Sequence, residues 1–188
     1  MTNQIQITMK ILKRILIVLA IIIAIPLVVA LFVKKQYAVE REIEINKPVQ
    51  QVFDYVKYLK NQDNYSVWAS MDPNMEKSYQ GTDGTVGFVS AWVSKEKNVG
   101  AGEQEIKNIV PGERIDYELR FKEPFESTEN AYMSTESVSD SVTKVVWGFD
   151  GKMAYPMNLM LLFQSMDEMV GNDFATGLSN LKGILEGE

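Results

Sequence analysis

Nineteen consecutive residues, Ile15 to Val33, carry no charge, and fifteen of them are Ile, Leu, Val or Phe. As an α-helix this run is about 28 Å long, close to the roughly 30 Å hydrocarbon core of a bilayer. At about 0.3 to 0.6 kcal/mol per residue, its large side chains favour insertion by about 4 to 9 kcal/mol. The run has no polar face, which disfavours a helix lying flat in the interface. Pro26 is compatible with a span, since membrane helices accept kinks. The rival reading is a cleaved signal peptide, with Lys10, Lys13 and Arg14 as its basic leader and Val28-Val29-Ala30 as its small-residue cleavage site. Continuation of the run through Leu31, Phe32 and Val33 favours an uncleaved anchor. The expected organisation is a short basic N-terminus at 1–14, a transmembrane helix at 15–33, a linker at 34–36 and one globular domain at 37–188.

Basic residues flank the run almost equally, with Lys10, Lys13 and Arg14 before it and Lys34, Lys35, Arg41 and Lys47 after it. Charge alone therefore gives no orientation. The very short N-terminus has the form of a signal anchor, which tilts the expectation toward a domain on the outer side. The absence of cysteine fits either compartment. All 25 acidic residues lie in 37–188, against 14 of the 19 basic ones, so residues 37–188 carry a net charge of −11. Nucleic acid is excluded as a partner on this reading, because counterion release needs a basic stripe and none follows Lys35. The same balance disfavours the domain lying flat on anionic lipid.

Along the domain, Val39, Ile43 and Ile45 alternate with Glu40, Glu42 and Glu44, the pattern of a half-buried strand. Val52, Phe53, Val56 and Leu59 then recur at helical spacing, with Asn46 as the expected cap and Pro48 in the first turn. A short helical or irregular stretch is expected over Asn61 to Trp68. Beyond Asp72-Pro73, turn signals at Gly81-Thr82-Asp83-Gly84, Asn98-Val99-Gly100, Pro111-Gly112 and Ser139-Asp140-Ser141 punctuate six strands that pair as an antiparallel meander. The clearest strand sets Ile115, Tyr117, Leu119 and Phe121 against Asp116, Glu118, Arg120 and Lys122. From Pro156 onward the period is helical, and Leu159, Leu162, Phe163, Met166, Met169, Val170, Phe174, Leu178, Leu181 and Leu185 form one stripe of a long C-terminal helix.

These elements predict an α+β helix-grip fold: a curved antiparallel seven-stranded sheet (β-α-α-β6-α) around a long C-terminal helix, preceded by one transmembrane helix. The chain from 37 to 185 resembles the helix-grip superfamily of START-like lipid-binding domains, polyketide cyclases and aromatases, coenzyme Q-binding proteins and pollen-allergen-like carriers. The resemblance rests on Val39-Glu40-Arg41-Glu42-Ile43 leading to Pro48 and Val52-Phe53-Asp54-Tyr55-Val56, and on Trp68 before Asp72-Pro73. It continues through Gly84-Thr85-Val86-Gly87, Trp92, Val99-Gly100-Ala101-Gly102-Glu103 and Pro111-Gly112-Glu113-Arg114-Ile115. Thr143-Lys144-Val145-Val146-Trp147 and Gly177-Leu178-Ser179-Asn180-Leu181-Lys182 complete it. These are turns, helix starts and core aromatics, which identify architecture and not chemistry. Many relatives are soluble, and the anchor sets this chain with a membrane-attached bacterial branch, implying a single-pass protein of the inner membrane.

The resemblance implies a site between sheet and helix for a hydrophobic small molecule or lipid. The ligand-binding candidates are Phe88, Ser90 and Trp92 on one strand, Tyr117 and Leu119 on the next inward-facing one, and Met133 and Thr135 beyond it. Trp147 and Phe149 follow, with Met166, Val170 and Phe174 on the helix. Without histidine or cysteine the chain cannot carry a histidine base, a Ser-His pair, a cysteine nucleophile or a His/Cys zinc site. No catalytic residue, metal ligand or cofactor is assigned. Glu103 and Glu105 share a strand face and are expected to face water instead of forming an acid/base pair. Arg41 shares strand parity with Val39 and Ile43, and either reaches water from the strand end or holds a ligand's acidic group. Gly81-Thr82-Asp83-Gly84 and Gly100-Ala101-Gly102 read as hairpin turns, because no helix N-terminus follows them. Met153, Met157, Met160, Met166 and Met169 suit either core filling or an adaptable pocket mouth. Two other readings stay open: a cyclase-like enzyme using Ser90, Tyr117 and Thr135 as inward polar groups, and an interaction scaffold with a filled interior.

Overall fold

The sheet has seven strands. They are β1 (Gln36–Ile45), β2 (Glu76–Gln80), β3 (Val89–Val93), β4 (Ala101–Val110), β5 (Arg114–Glu123), β6 (Ser127–Ser139) and β7 (Val142–Lys152). The computed structural model describes residues 2–187. It arranges the strands as one sheet in the order β1-β7-β6-β5-β4-β3-β2, with β2 to β7 an antiparallel meander. Two compact units result. The larger joins Tyr37–Gly151 to the chain from Met166 onward, and the smaller joins the chain up to Gln36 to Lys152–Ser165.

In the larger unit, one face of the sheet is core. Ile106, Ile115, Tyr117, Ala131, Met133, Val145 and Trp147 are buried there, with Val39 and Ile45 from β1. The opposite face is held by charge. Arg120 bonds Glu103 (Nε to Oε1, 2.6 Å) and Glu105 (Nη1 to Oε2, 2.7 Å), and it also pairs with Glu118. Glu103 and Glu105 thus lie on the outer face, as their strand parity predicts.

Short helices fill the first connection: α2 (Val49–Val56), a 3-10 turn at Leu59–Asn64 and α3 (Val67–Met71). Val52, Phe53 and Val56 of α2 are buried, the 3.6-residue repeat read from the sequence. The helix start differs from expectation. Pro48, not Asn46, is the N-cap, with φ −58° and ψ 145°, and its carbonyl accepts from Val52 N at 3.2 Å. Proline's fixed φ suits that half-in position, while the Asn46 backbone N–H is taken by Glu186 Oε1 at 2.5 Å. Asp83 accepts from the backbone N–H of Leu59 at 2.8 Å and of Lys60 at 3.2 Å, tying the 81–88 loop to the 3-10 turn. The second glycine-rich stretch is only partly a turn. Gly100 closes a loop at φ +62°, but Ala101 and Gly102 are strand residues of β4. A Cβ at Gly102 would lie 2.8 Å from both Arg120 O and the Trp92 ring, so glycine there admits the indole.

The C-terminal helix α4 is Met166–Glu186, ten residues later than the sequence suggests. Its buried side is Gly171, Phe174, Gly177, Leu178 and Leu181. A Cβ at Gly177 would lie 2.8 Å from the Trp147 ring, and one at Gly171 would overlap the Arg41 guanidinium, so two glycines set how closely helix and sheet pack. Leu159, Leu162 and Phe163, expected in the same stripe, belong instead to the smaller unit, where Met157–Leu162 is a 3-10 turn. Three residues explain the break: Asn158 is drawn away into hydrogen bonds with another segment, and Ser165-x-x-Glu168 has the capping-box pattern that starts a new helix.

In the smaller unit α1 (Thr2–Ala30) contains Met9–Ala30, which is long and apolar enough to cross a membrane by length and composition. The helix stops at Ala30, short of the Val33 predicted. Leu31 N and Phe32 N turn back onto the Val28 and Val29 carbonyls at 3.1 and 3.0 Å, and Asn158 Nδ2 donates to Ala30 O at 2.7 Å and Val33 O at 3.0 Å.

Candidate functional site

Strand register places the inward residues in successive rows across the sheet. Ser90, Gln104, Leu119 and Glu129 form one row over β3 to β6. Ile106, Tyr117, Ala131 and Phe149 form the next, followed by Ile115, Met133 and Trp147, and then Thr135 with Val145. The twelve candidate residues divide between these rows by exposure.

At one end they are sealed. Trp147 stacks on Phe174 with centroids 4.6 Å apart, Trp68 meets both edge-on at 6.2 and 5.8 Å, and Tyr65 meets Trp147 at 5.7 Å. Tyr117 and Met133 are buried beside them. Burial pushes the Tyr65 and Tyr117 hydroxyls above the ordinary phenol range, so both stay protonated. Phe88 is buried just before β3 and stacks on Tyr79 at 6.1 Å. Thr135 is inward and buried, but its Oγ1 donates to Gly112 O at 2.9 Å and its role is to fasten the β4–β5 turn.

At the other end the inner face is only half covered. Leu119 and Phe149 on the sheet and Met166 and Val170 on α4 pack against the core yet keep solvent exposure. Ser90 and Trp92 share this condition, and Trp92 meets Phe121 edge-on at 6.2 Å while its Nε1 donates to Val99 O at 3.3 Å. Arg41 is committed elsewhere. Its fork bonds Asp167 at 2.7 Å (Nη1 to Oδ1) and 2.9 Å (Nη2 to Oδ2) and also reaches Asp167 O at 2.9 Å, clamping β1 to the first turn of α4. The guanidinium holds the Asp167 carboxyl below the usual carboxylate range.

Three polar residues in this half-covered region were not among the candidates. Gln104 and Glu129, each only 8 % exposed, occupy the Ser90 row. Tyr37 lies against Phe149 at 6.0 Å, and a Cβ at Gly151 would collide with its ring. Burial, aided by the negative Glu129 carboxylate, pushes the Tyr37 hydroxyl up to about 12. Glu129 and Tyr37 are thus electrostatic neighbours beside an apolar surface. Strand parity held the signal: Glu129, Ala131, Met133 and Thr135 share one face of β6, as Gly102, Gln104 and Ile106 share one of β4. Among the described residues no three Asp or Glu side chains are grouped to hold a metal ion.

A family model described as polyketide cyclase / dehydrase and lipid transport matches residues 36–186. Comparison with curated proteins finds no match. Among solved structures, the chain is similar to an uncharacterized protein from Rhizobium leguminosarum at 18% identity and a TM-score of 0.57, over 82% of this chain and 97% of that one. A protein from Nitrosospira multiformis is similar at 18% identity and TM-score 0.55, over 78% and 94% of the two chains. DynU16, from the dynemicin biosynthetic locus, is similar at 13% identity and TM-score 0.54, over 79% of this chain and 47% of its own. At these identities the likeness is one of fold.

Proposed function

We propose, from the premise that this chain belongs to the polyketide cyclase / dehydrase and lipid transport family, that it is a membrane-anchored binding protein holding a hydrophobic small molecule or lipid between its sheet and C-terminal helix. The observation that carries this reading is the half-covered inner face. Leu119, Phe149, Met166 and Val170 are large apolar side chains turned toward the core side but left partly exposed. Apolar surface in such a place gains roughly 25 cal/mol for each Å² that a ligand covers. Gln104, Glu129 and Tyr37 add a few convergent polar groups, which orient a ligand that has a polar end. The helix Met9–Ala30 supports the anchor, and anchoring keeps the domain where apolar ligands are concentrated. The inner membrane of a bacterium, with the domain on its outer side, is the location we adopt. The acidic balance of residues 37–188 argues against nucleic acid.

A second reading has one observation in its favour. The Glu129 carboxyl is near enough to the Tyr37 phenol to raise it, which brings two proton-carrying groups together beside the apolar inner face, a feature that cyclase-like proton transfer needs. Recovery of a bound compound altered by the wild type and unaltered by Glu129→Gln would favour it.

The test of the binding reading is photo-crosslinking of the full chain in lipid nanodiscs with a diazirine-bearing fatty acid, followed by peptide mapping. Label on peptides containing Leu119, Phe149 and Val170, lost in Val170→Lys, is the expected result. Label confined to the Met9–Ala30 helix would remove the ligand site.

A further inference from the structure

The smaller unit contains an apolar surface that the binding reading does not use. Between Lys152 and Asp167 the chain has no charged residue. The 3-10 turn Met157–Leu162 exposes Met157 and Leu162, and Phe163 just after it is 85% exposed. At the end of α1, Phe32 is also 85% exposed. Exposed aromatic and aliphatic side chains in water are costly, and a contiguous set marks a surface that something covers.

The hydrogen bonds of this segment fix where that surface lies along α1. Asn158, fully buried, donates to Ala30 O at 2.7 Å and Val33 O at 3.0 Å. The Tyr155 hydroxyl donates to Leu27 O at 3.3 Å, and Met153 N donates to Lys35 O at 2.8 Å. A helix leaves its last carbonyls unpaired, and in hydrocarbon water cannot satisfy them. Here side chains of the 153–158 segment take that place.

Helix length supplies an independent reason. The apolar span Met9–Ala30 rises about 33 Å, which matches the roughly 30 Å of a bilayer core. The end of α1 therefore falls at the edge of the apolar zone, where Phe32, Met157, Leu162 and Phe163 add exposed apolar surface. Lys34, Lys35 and Lys152 then line an open notch of about 610 Å³ together with Val33 and Gln36. Three ammonium groups at that level match the phosphates of anionic headgroups.

We propose that Tyr155–Phe163 is a second membrane-contacting element, seated in the interfacial layer of the bilayer at the end of α1, with Lys34, Lys35 and Lys152 at headgroup level. Its occupant is lipid, not a second copy of the chain. The inference rests on α1 being an anchor, and its test separates the two claims. The chain has no cysteine, so a single introduced thiol is a unique label site.

Three full-chain variants, Leu19→Cys, Phe163→Cys and Ser141→Cys, carry a fluorophore in bilayers of equal phosphatidylcholine and phosphatidylglycerol. Quenching by lipids with the nitroxide near the headgroup or deep in the chain reports depth. The expected pattern is deep quenching at Leu19, shallow quenching at Phe163 and none at Ser141, with shallow quenching at Phe163 weakened when phosphatidylglycerol is omitted. Quenching at Leu19 with none at Phe163 overturns this inference and leaves the anchor standing. Absence of quenching at Leu19 removes the anchor and this inference with it. A Phe163 site shielded from lipid but showing self-quenching that rises with protein density identifies a second copy as the occupant and overturns the assignment to lipid.

Discussion

Replacing Gly177 by alanine should destabilise the protein, whereas the same change at Gly183, six residues along the same helix, should stabilise it. Both glycines lie inside α4. Alanine in a helix interior is favoured over glycine by about 0.5 to 1 kcal/mol, and at Gly183 nothing lies within 4 Å of the added Cβ, so this gain is expressed in full. At Gly177 the Cβ would lie 2.8 Å from Trp147 Cζ3 and 3.3 Å from Tyr65 O. The indole cannot yield cheaply, because Phe174 stacks on it at 4.6 Å and Tyr65 and Trp68 bracket its edges. Overpacking of this kind costs about 1 to 3 kcal/mol, leaving a net loss of up to about 2.5 kcal/mol after the helix gain. For a chain of this size about 1 kcal/mol moves Tm by 2–4 °C. Thermal unfolding of the full chain in one detergent, followed by tryptophan near-UV circular dichroism at a fixed scan rate, reads both variants. A Tm for Gly177→Ala raised as much as that of Gly183→Ala would refute the tight seat of α4 on Trp147.

Removing one outer-face cation through Arg120→Met leaves Glu103, Glu105 and Glu118 with only Lys107 and Lys122 to offset them, and should cost about 1 kcal/mol at neutral pH, less in high salt. Arg120, then the lysines beside them, hold Glu103 and Glu105 below the ordinary carboxylate range. A lowered pKa gives stability above the unfolded value near about 4.3 that is lost as pH falls through the folded value, so acid melts should be steeper for the wild type than for Arg120→Met. The Tyr37 phenol, raised to about 12, contributes stability that is complete below the unfolded value near about 10 and lost as pH climbs toward the folded one. In phenolate absorbance titrations Glu129→Gln should bring Tyr37 only part of the way back, because burial is the larger cause. Protein recovered from membranes should give an intact mass that retains Ile15–Val33; a mature chain beginning near Leu31 would replace the anchor with a signal peptide.

Most of the larger unit was legible because its faces differ chemically. Ile115, Tyr117 and Leu119 against Asp116, Glu118 and Arg120 can satisfy water and core in only one orientation. The start of α4 was not legible by periodicity, since Leu159, Leu162 and Phe163 continue the apolar spacing whether they pack on a sheet or on nothing. The capping-box pattern at Ser165 and Glu168 was the better guide, because it reports the backbone's own need for a helix start. The Asn158 bonds to Ala30 and Val33 join residues more than a hundred positions apart, and no local pattern announces such a contact. In the candidate site, the apolar half lies on the inner face, but Glu129 was passed over because a carboxylate suggests water. Its parity with Ala131 and Met133 outweighs its charge. Thr135 and Trp147 show the converse: inward position by itself does not separate a residue that fastens a turn or fills the core from one left partly open.

On the proposed function, the half-covered inner face holds an apolar ligand. Gentle release of the full chain from membranes and mass measurement under non-denaturing conditions tests it most directly, with Leu119→Lys as the matched control. The expected result is a stoichiometric added mass of an apolar compound on the wild type and its absence from Leu119→Lys, with both chains folded by circular dichroism. A bare wild-type mass that stays bare after incubation with membrane lipid extract would contradict it.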